Sequence, residues 1–143
     1  MQVSNLLANK NQDVATISQE RTVSDALMLL KERGIGALVV TGPNPPLVGI
    51  FSERDAVRAL ATSGAAALDT KVSELMTADV QTCDETTTVT ELMGLMTERR
   101  IRHLPVVHDN QLVGMISIGD VVKARFDELE HDKKDLLDYV SAR

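Results

Sequence analysis

Twice in this chain a serine and an aspartate stand three residues apart behind a glycine and two apolar residues, as GIFSERD at Gly49–Asp55 and GMISIGD at Gly114–Asp120. A serine placed where a strand ends and a helix begins points its hydroxyl at the open helix N-terminus, whose unpaired N–H groups and partial positive charge favour an anion such as phosphate. An ionised aspartate three residues on is acceptor-only and can take both protons of a sugar diol. Ser52 with Asp55, and Ser117 with Asp120, are therefore candidates for holding a phosphorylated sugar. The same spacing is also a capping box, in which the two side chains satisfy the helix N-terminus and need no ligand. The neighbourhoods differ. The first pattern contains Arg54 and has Arg58 one turn later, where the second has Ile118 and Gly119 in place of the first's Glu53 and Arg54. The second is preceded by RRIRHLPV, whose Arg100, Arg102 and His103 fall opposite Gly34, Gly36 and Ala37 when the two regions are aligned. The sites are expected to be inequivalent, with phosphate binding at the second depending on Arg102 or His103.

Other reactive residue types carry less. Cys83 stands alone beside Thr82 in an apolar-flanked strand start, which reads as a small buried thiol rather than a nucleophile. His103 and His108 lie five apart across a strand with no further ligands at convincing spacing, so no metal site is expected. Met28, Met93 and Met96 fall on or beside helical stripes and read as core. ERRIRH at Glu98–His103 is short and has no interleaved aromatics, which fits the phosphate of a small ligand better than nucleic acid. With no nucleophile oriented by a base and no metal cluster, the chain is not expected to be an enzyme.

The elements that must position these residues come from an internal repeat. Val14–Thr41 aligns without a gap on Val80–Val107 at an offset of 66, and Leu47–Phe51 aligns on Leu112–Ile116 at 65. Similar lead-ins precede the copies, VSNLL at Val3–Leu7 and VSELM at Val72–Met76. Val23, Ala26, Leu27 and Leu30, repeated as Val89, Leu92, Met93 and Met96, mark one face of a helix in each copy. Thr22 with Asp25 and Thr88 with Glu91 start those helices as capping boxes. Two β-branched, apolar runs follow in each copy, Ala37–Thr41 with Leu47–Phe51 and His103–Val107 with Leu112–Ile116, reading as hairpins. Second helices follow over 53–61 and 118–129. A strand, helix, strand, strand, helix order leaves each half with a three-stranded sheet bare on one face, and pairing the halves would bury a common core. The expected units are 3–62 and 72–128, with a linker over 63–71 and an appended helical tail over 129–143.

Composition sets the outer bounds. Hydrophobic residues make up 43% and charged residues 25%, the balance of a globular chain. Aromatic content of 2% leaves few base-stacking platforms, and a net charge of −6 repels a phosphate backbone, so nucleic acid is not an expected partner. No stretch approaches the roughly 20 apolar residues of a membrane span, and the first residues lack a basic leader, so no membrane partner and a cytoplasmic location are expected. A single cysteine fits a reducing compartment.

The doubled glycine, two hydrophobic, serine, two free, aspartate pattern at equivalent places in such a repeat resembles the CBS (cystathionine β-synthase) domain family over nearly the whole chain apart from the tail. The resemblance implies an α/β (α+β) fold, with two β-α-β-β-α units in a disc-like, pseudo-two-fold pair. It further implies two clefts taking AMP, ATP, NAD-type ligands or S-adenosylmethionine. It places Ser52, Arg54, Asp55, Ser117 and Asp120 at the sugar and phosphate. Around the base it places the first strand starts, Thr16 and Ile17 with Thr82, Cys83 and Asp84. The second strand starts join them there, Gly36, Ala37 and Leu38 with Arg102, His103, Leu104 and Pro105. The family also implies a homodimer and an allosteric readout to a separate, unidentified client protein. A ligand-independent interaction scaffold is the alternative.

Overall fold

The computed structural model of the chain describes residues 1–10 and 13–142. The elements run α1 (Val3–Ala8), β1 (Thr16–Ser18), α2 (Val23–Arg33), β2 (Ala37–Thr41), β3 (Gly49–Ser52), α3 (Glu53–Ser63), a 3-10 turn (Gly64–Asp69), α4 (Val72–Leu75), α5 (Val89–Arg99), β4 (His103–His108), β5 (Gln111–Ser117) and α6 (Ile118–Ser141). Both threonine caps form. Thr22 Oγ1 accepts from the Asp25 N–H at 3.2 Å, and Thr88 Oγ1 from the Glu91 N–H at 3.1 Å. The faces that α2 and α5 bury, Val23, Ala26 and Leu30, then Val89, Leu92 and Met96, follow the apolar period. Met28 and Met93 do not join them: both are exposed, beside the buried stripe.

The two units differ in their sheets. In the first, β1 pairs in parallel with β2 and β2 antiparallel with β3. In the second, β4 and β5 form the hairpin, and the expected third strand is reduced to one parallel bridge between Cys83 and Val106. The cause lies in one substitution within the repeat. The Val39 N–H donates to Ala15 O at 3.0 Å, but the residue matching Val39 is Pro105, which has no N–H to give. Beyond the bridge, Asp84 accepts from the Thr86 and Thr87 N–H groups at 2.8 and 3.0 Å, turning the chain away from the strand.

Instead of one common core, the interior resolves into two clusters, and the lead-ins change sides. Val72 of α4 is buried among Val23, Leu30, Leu38, Val40 and Phe51 of the first unit. Val3 and Leu6 of α1 are buried among Val89, Leu92, Leu104 and Ile116 of the second. The pattern glycines mark where the exchanged segments press on the sheets. A Cβ at Gly49 would lie 2.6 Å from Met76 Sδ and 2.8 Å from Thr77 O, and one at Gly114 would lie 2.5 Å from Leu7 Cδ2. Backbone cannot yield as a leucine tip can. Gly49→Ala is therefore expected to cost about 1–3 kcal/mol and Gly114→Ala less, read from denaturant midpoints of the two variants.

The stretch expected to link the units holds the last residue of α3, Ser63, and the 3-10 turn, with Ala67 buried, before Thr70 and Lys71 lead into α4. The expected tail is not a separate helix: α6 runs unbroken from Ile118 to Ser141, since no glycine or proline interrupts it after Gly119, while Arg143 lies outside the described residues. Its outer part exposes Phe126, Leu129, Leu136 and Val140. Among the described residues no helix is both long and apolar enough to cross a membrane.

Candidate functional site

Each strand-to-helix junction forms its capping box and still faces a cavity. Ser52 ends β3 in extended backbone and caps α3. Asp55 Oδ2 accepts from the Ser52 N–H at 2.9 Å and its hydroxyl at 3.1 Å, while Ser52 Oγ accepts from the Asp55 N–H at 3.3 Å. The other carboxylate oxygen, Oδ1, accepts from the Thr77 hydroxyl at 3.2 Å. In the second unit Asp120 Oδ2 accepts from the Ser117 N–H at 2.8 Å, the Ser117 hydroxyl at 3.0 Å and the Lys10 ammonium at 2.8 Å. A carboxylate has about four lone-pair sites, so capping leaves room for a ligand.

Thr77 and Lys10 occupy matching roles. Each follows a lead-in that has crossed from the other sequence unit, and each donates to the junction aspartate it meets there. Lys10 Nζ also donates to Met115 O at 2.8 Å. Burial raises the Asp120 carboxyl, but the Lys10 ammonium and the Ser117 donors outweigh it and hold the group below the ordinary carboxylate range.

Two cavities result, each with one wall from either unit. The larger, about 860 Å3, sets Ser117 and Asp120 across from Val14, Ala15, Gly36 and Ala37. The smaller, about 490 Å3, sets Ser52, Arg54 and Asp55 across from Val80, Gln81 and Arg102. Strand register explains the crossing. Ala37 pairs with Ser52 and His103 with Ser117, so each hairpin carries a junction serine on one strand and the opposite cleft's wall on the other.

His103 lines both cavities. Burial lowers its pKa, with Lys10 and Arg102 adding to the effect against Glu53 and Asp120, which favours the neutral imidazole. Arg102 lies in the wall of the Ser52 cleft and not, as its sequence neighbours implied, in that of Ser117.

Several residues expected around the base line neither cavity. Ile17, Leu38, Cys83 and Leu104 point into the two cores, and Pro105 is buried. Thr16 pairs within the sheet, Thr82 precedes the Cys83 bridge, and Asp84 is occupied by its own turn. The residues one to three positions earlier, Val14 and Ala15 or Val80 and Gln81, reach the clefts in their place, because the chain enters the core as soon as it joins the sheet. Burial, reinforced by Asp84, pushes the Cys83 thiol up to about 11, so it stays protonated at neutral pH.

Comparison with known proteins adds an independent line. A family model described as the CBS domain matches residues 3–62 and again 72–127. The chain is 40% identical over 123 residues to the mitochondrial CBS domain-containing protein CBSX3 of Arabidopsis thaliana, covering 83% of this chain but only 60% of that relative, less than two thirds of its length. Among solved structures, a CBS-domain containing protein from Agrobacterium tumefaciens superposes with a TM-score of 0.83 at 45% identity, covering 87% of this chain and 92% of that one. A CBS domain protein from Pyrobaculum aerophilum, solved in complex with AMP, superposes with a TM-score of 0.73 at 27% identity over 84% of this chain and 89% of that one.

Proposed function

Because the chain belongs to the CBS domain family, we propose that it is a non-catalytic regulatory module that takes an adenosyl ligand, AMP, ATP or an NAD-type molecule, in one or both clefts. The observation that carries this reading is the composite build of each cleft. The Ser/Asp junction of one unit faces strand starts of the other across 490 or 860 Å3 of space. A ligand there touches both units, so it biases any rearrangement in which the two arrangements bind it differently. The helix N-terminus with its serine suits phosphate and the aspartate suits a ribose diol. The AMP complex of the Pyrobaculum protein supports the ligand class.

The readout passes to a client protein, and the module works as a homodimer in the cytoplasm. Val57 and Leu60 on α3 with Val122 and Phe126 on α6 supply exposed apolar surface suited to self-association.

Titration calorimetry with AMP, ATP, NAD and S-adenosylmethionine tests the reading. At least one ligand is expected to bind with a dissociation constant in the micromolar range, about −8 kcal/mol or less negative. Silence from all four at millimolar concentration leaves the two capping boxes as structural features and the protein as a ligand-independent scaffold.

A further inference from the structure

Resting on the reading of the clefts as adenosyl-ligand sites, we propose that they are specialised by charge. The Ser52/Asp55 cleft takes an adenosine ligand bearing two or more phosphates, and the Ser117/Asp120 cleft takes one bearing a single phosphate or none.

The smaller cleft is lined by five arginines, Arg54 and Arg58 from α3 and Arg99, Arg100 and Arg102 from the end of α5 and the start of β4. Three carboxylates, Glu53, Asp55 and Asp79, stand with them. Asp55 is already engaged by Ser52 and Thr77. The ion-paired arginines among the described residues are Arg21 and Arg125, elsewhere on the surface, so the five keep their charge for a ligand. Arg54 Nη1 also donates to Arg100 O at 3.4 Å, tying the two arginine-bearing walls together. Guanidinium groups match phosphate oxygens in pairs, and each added phosphate gains further charge-assisted contacts.

The larger cleft has the room but not the charge. Its cations are Lys10 and Arg33, set against Asp13, Glu32 and Asp120. Lys10 is consumed by Asp120 at 2.8 Å and Met115 O at 2.8 Å. His103 stands in both walls and does not distinguish the two clefts.

A backbone observation points the same way. The residue closing α2 is Gly34, left-handed at φ 61°, ψ 41°; its counterpart closing α5 is Arg100, held at φ 55°, ψ 43°. A side chain is strained in that conformation where glycine is not. The second unit thus places a guanidinium on the cleft wall where the first has only a glycine.

Adenosine, AMP, ADP and ATP are titrated calorimetrically, free of divalent metal, into the wild type and into Asp55→Ala and Asp120→Ala, which assign each binding event to a cleft. At the event weakened by Asp55→Ala, wild-type affinity is expected to rise from AMP through ADP to ATP, by about tenfold or more overall, and to fall with added salt. At the event weakened by Asp120→Ala, ATP binds the wild type no tighter than AMP does. Arg100→Gly restores the residue its backbone favours, so its melting temperature stays equal or rises while the ATP-over-AMP ratio falls about fivefold or more. ATP no tighter than AMP at the Asp55 event, an equal ATP preference at both events, or an unchanged ratio in Arg100→Gly overturns the specialisation while the ligand reading stands. No binding of any adenosine compound removes both.

Discussion

Asp55→Ala is expected to weaken an adenosyl ligand at the smaller cleft about 10- to 100-fold while the larger cleft keeps its affinity, since Ser52 and Thr77 leave the carboxylate one acceptor site for a ribose hydroxyl and a hydrogen bond to an ionised group contributes about 1.5–3 kcal/mol. The variant also loses half of a capping box, leaving the Ser52 N–H and the Thr77 hydroxyl without their acceptor. That costs about 1 kcal/mol of stability, too little to unfold a domain. Asp120→Ala differs by releasing Lys10, whose freed ammonium offsets part of the lost diol contact for a phosphorylated ligand. Calorimetry on both variants, with melting curves alongside, separates a binding loss from a folding loss. Undiminished affinity in Asp55→Ala removes the ribose role. The sign of the pH effect is also set. Asp120, held below the ordinary carboxylate range, stabilises the fold above that range and loses this contribution as pH falls through its folded value.

Phe51→Ala has the largest expected effect on stability. Phe51 is fully buried in β3, directly before the junction serine and paired with Leu38, and it fills the first unit's core. Emptying that volume costs about 3–5 kcal/mol, the transfer of an aromatic ring plus the cavity left behind. For a chain of this length it lowers the melting temperature by about 10 °C or more. A midpoint within a few degrees of wild type would mean that α4 and the sheet collapse into the gap. Ligand binding at the smaller cleft should suffer with it, because Phe51 anchors the strand that ends at Ser52.

Much of this architecture was legible in the residues, and the reason is the repeat. Two copies of a 3.6-residue stripe with threonine caps define α2 and α5, and two copies of the Gly-to-Asp pattern define the junctions. What the repeat cannot state is which copy faces which. Internal equivalence is silent about whether Thr77 meets Asp55 or a residue of its own unit, and it points Arg102 toward Ser117 when the side chain lines the Ser52 cleft. Lys10 and Thr77 lie just past the lead-ins, three residues after VSNLL and one after VSELM, in stretches with no pattern of their own. Of the residues expected around the base, Gly36, Ala37, Arg102 and His103 do line a cleft, and the others stand away from both for a simpler reason. At Ile17, Leu38, Cys83 and Leu104 the apolar side chains serve a core, and the cleft walls fall to the chain just before the sheet together with Ala37 and His103 at the strand starts. The missing third strand of the second unit turned on Pro105, a single absent donor.

The reciprocal placement of α1 and α4 makes the molecule interlocked. Severed in the Gly64–Asp69 turn, neither fragment could close its own interior, the first lacking Val72 and the second Val3 and Leu6. Each carries the plug its counterpart lacks, so a chain nicked there is expected to elute as one particle in size-exclusion chromatography. During synthesis the first half stays unfinished until the ribosome has passed Met76, and two chains caught open together can close by trading plugs.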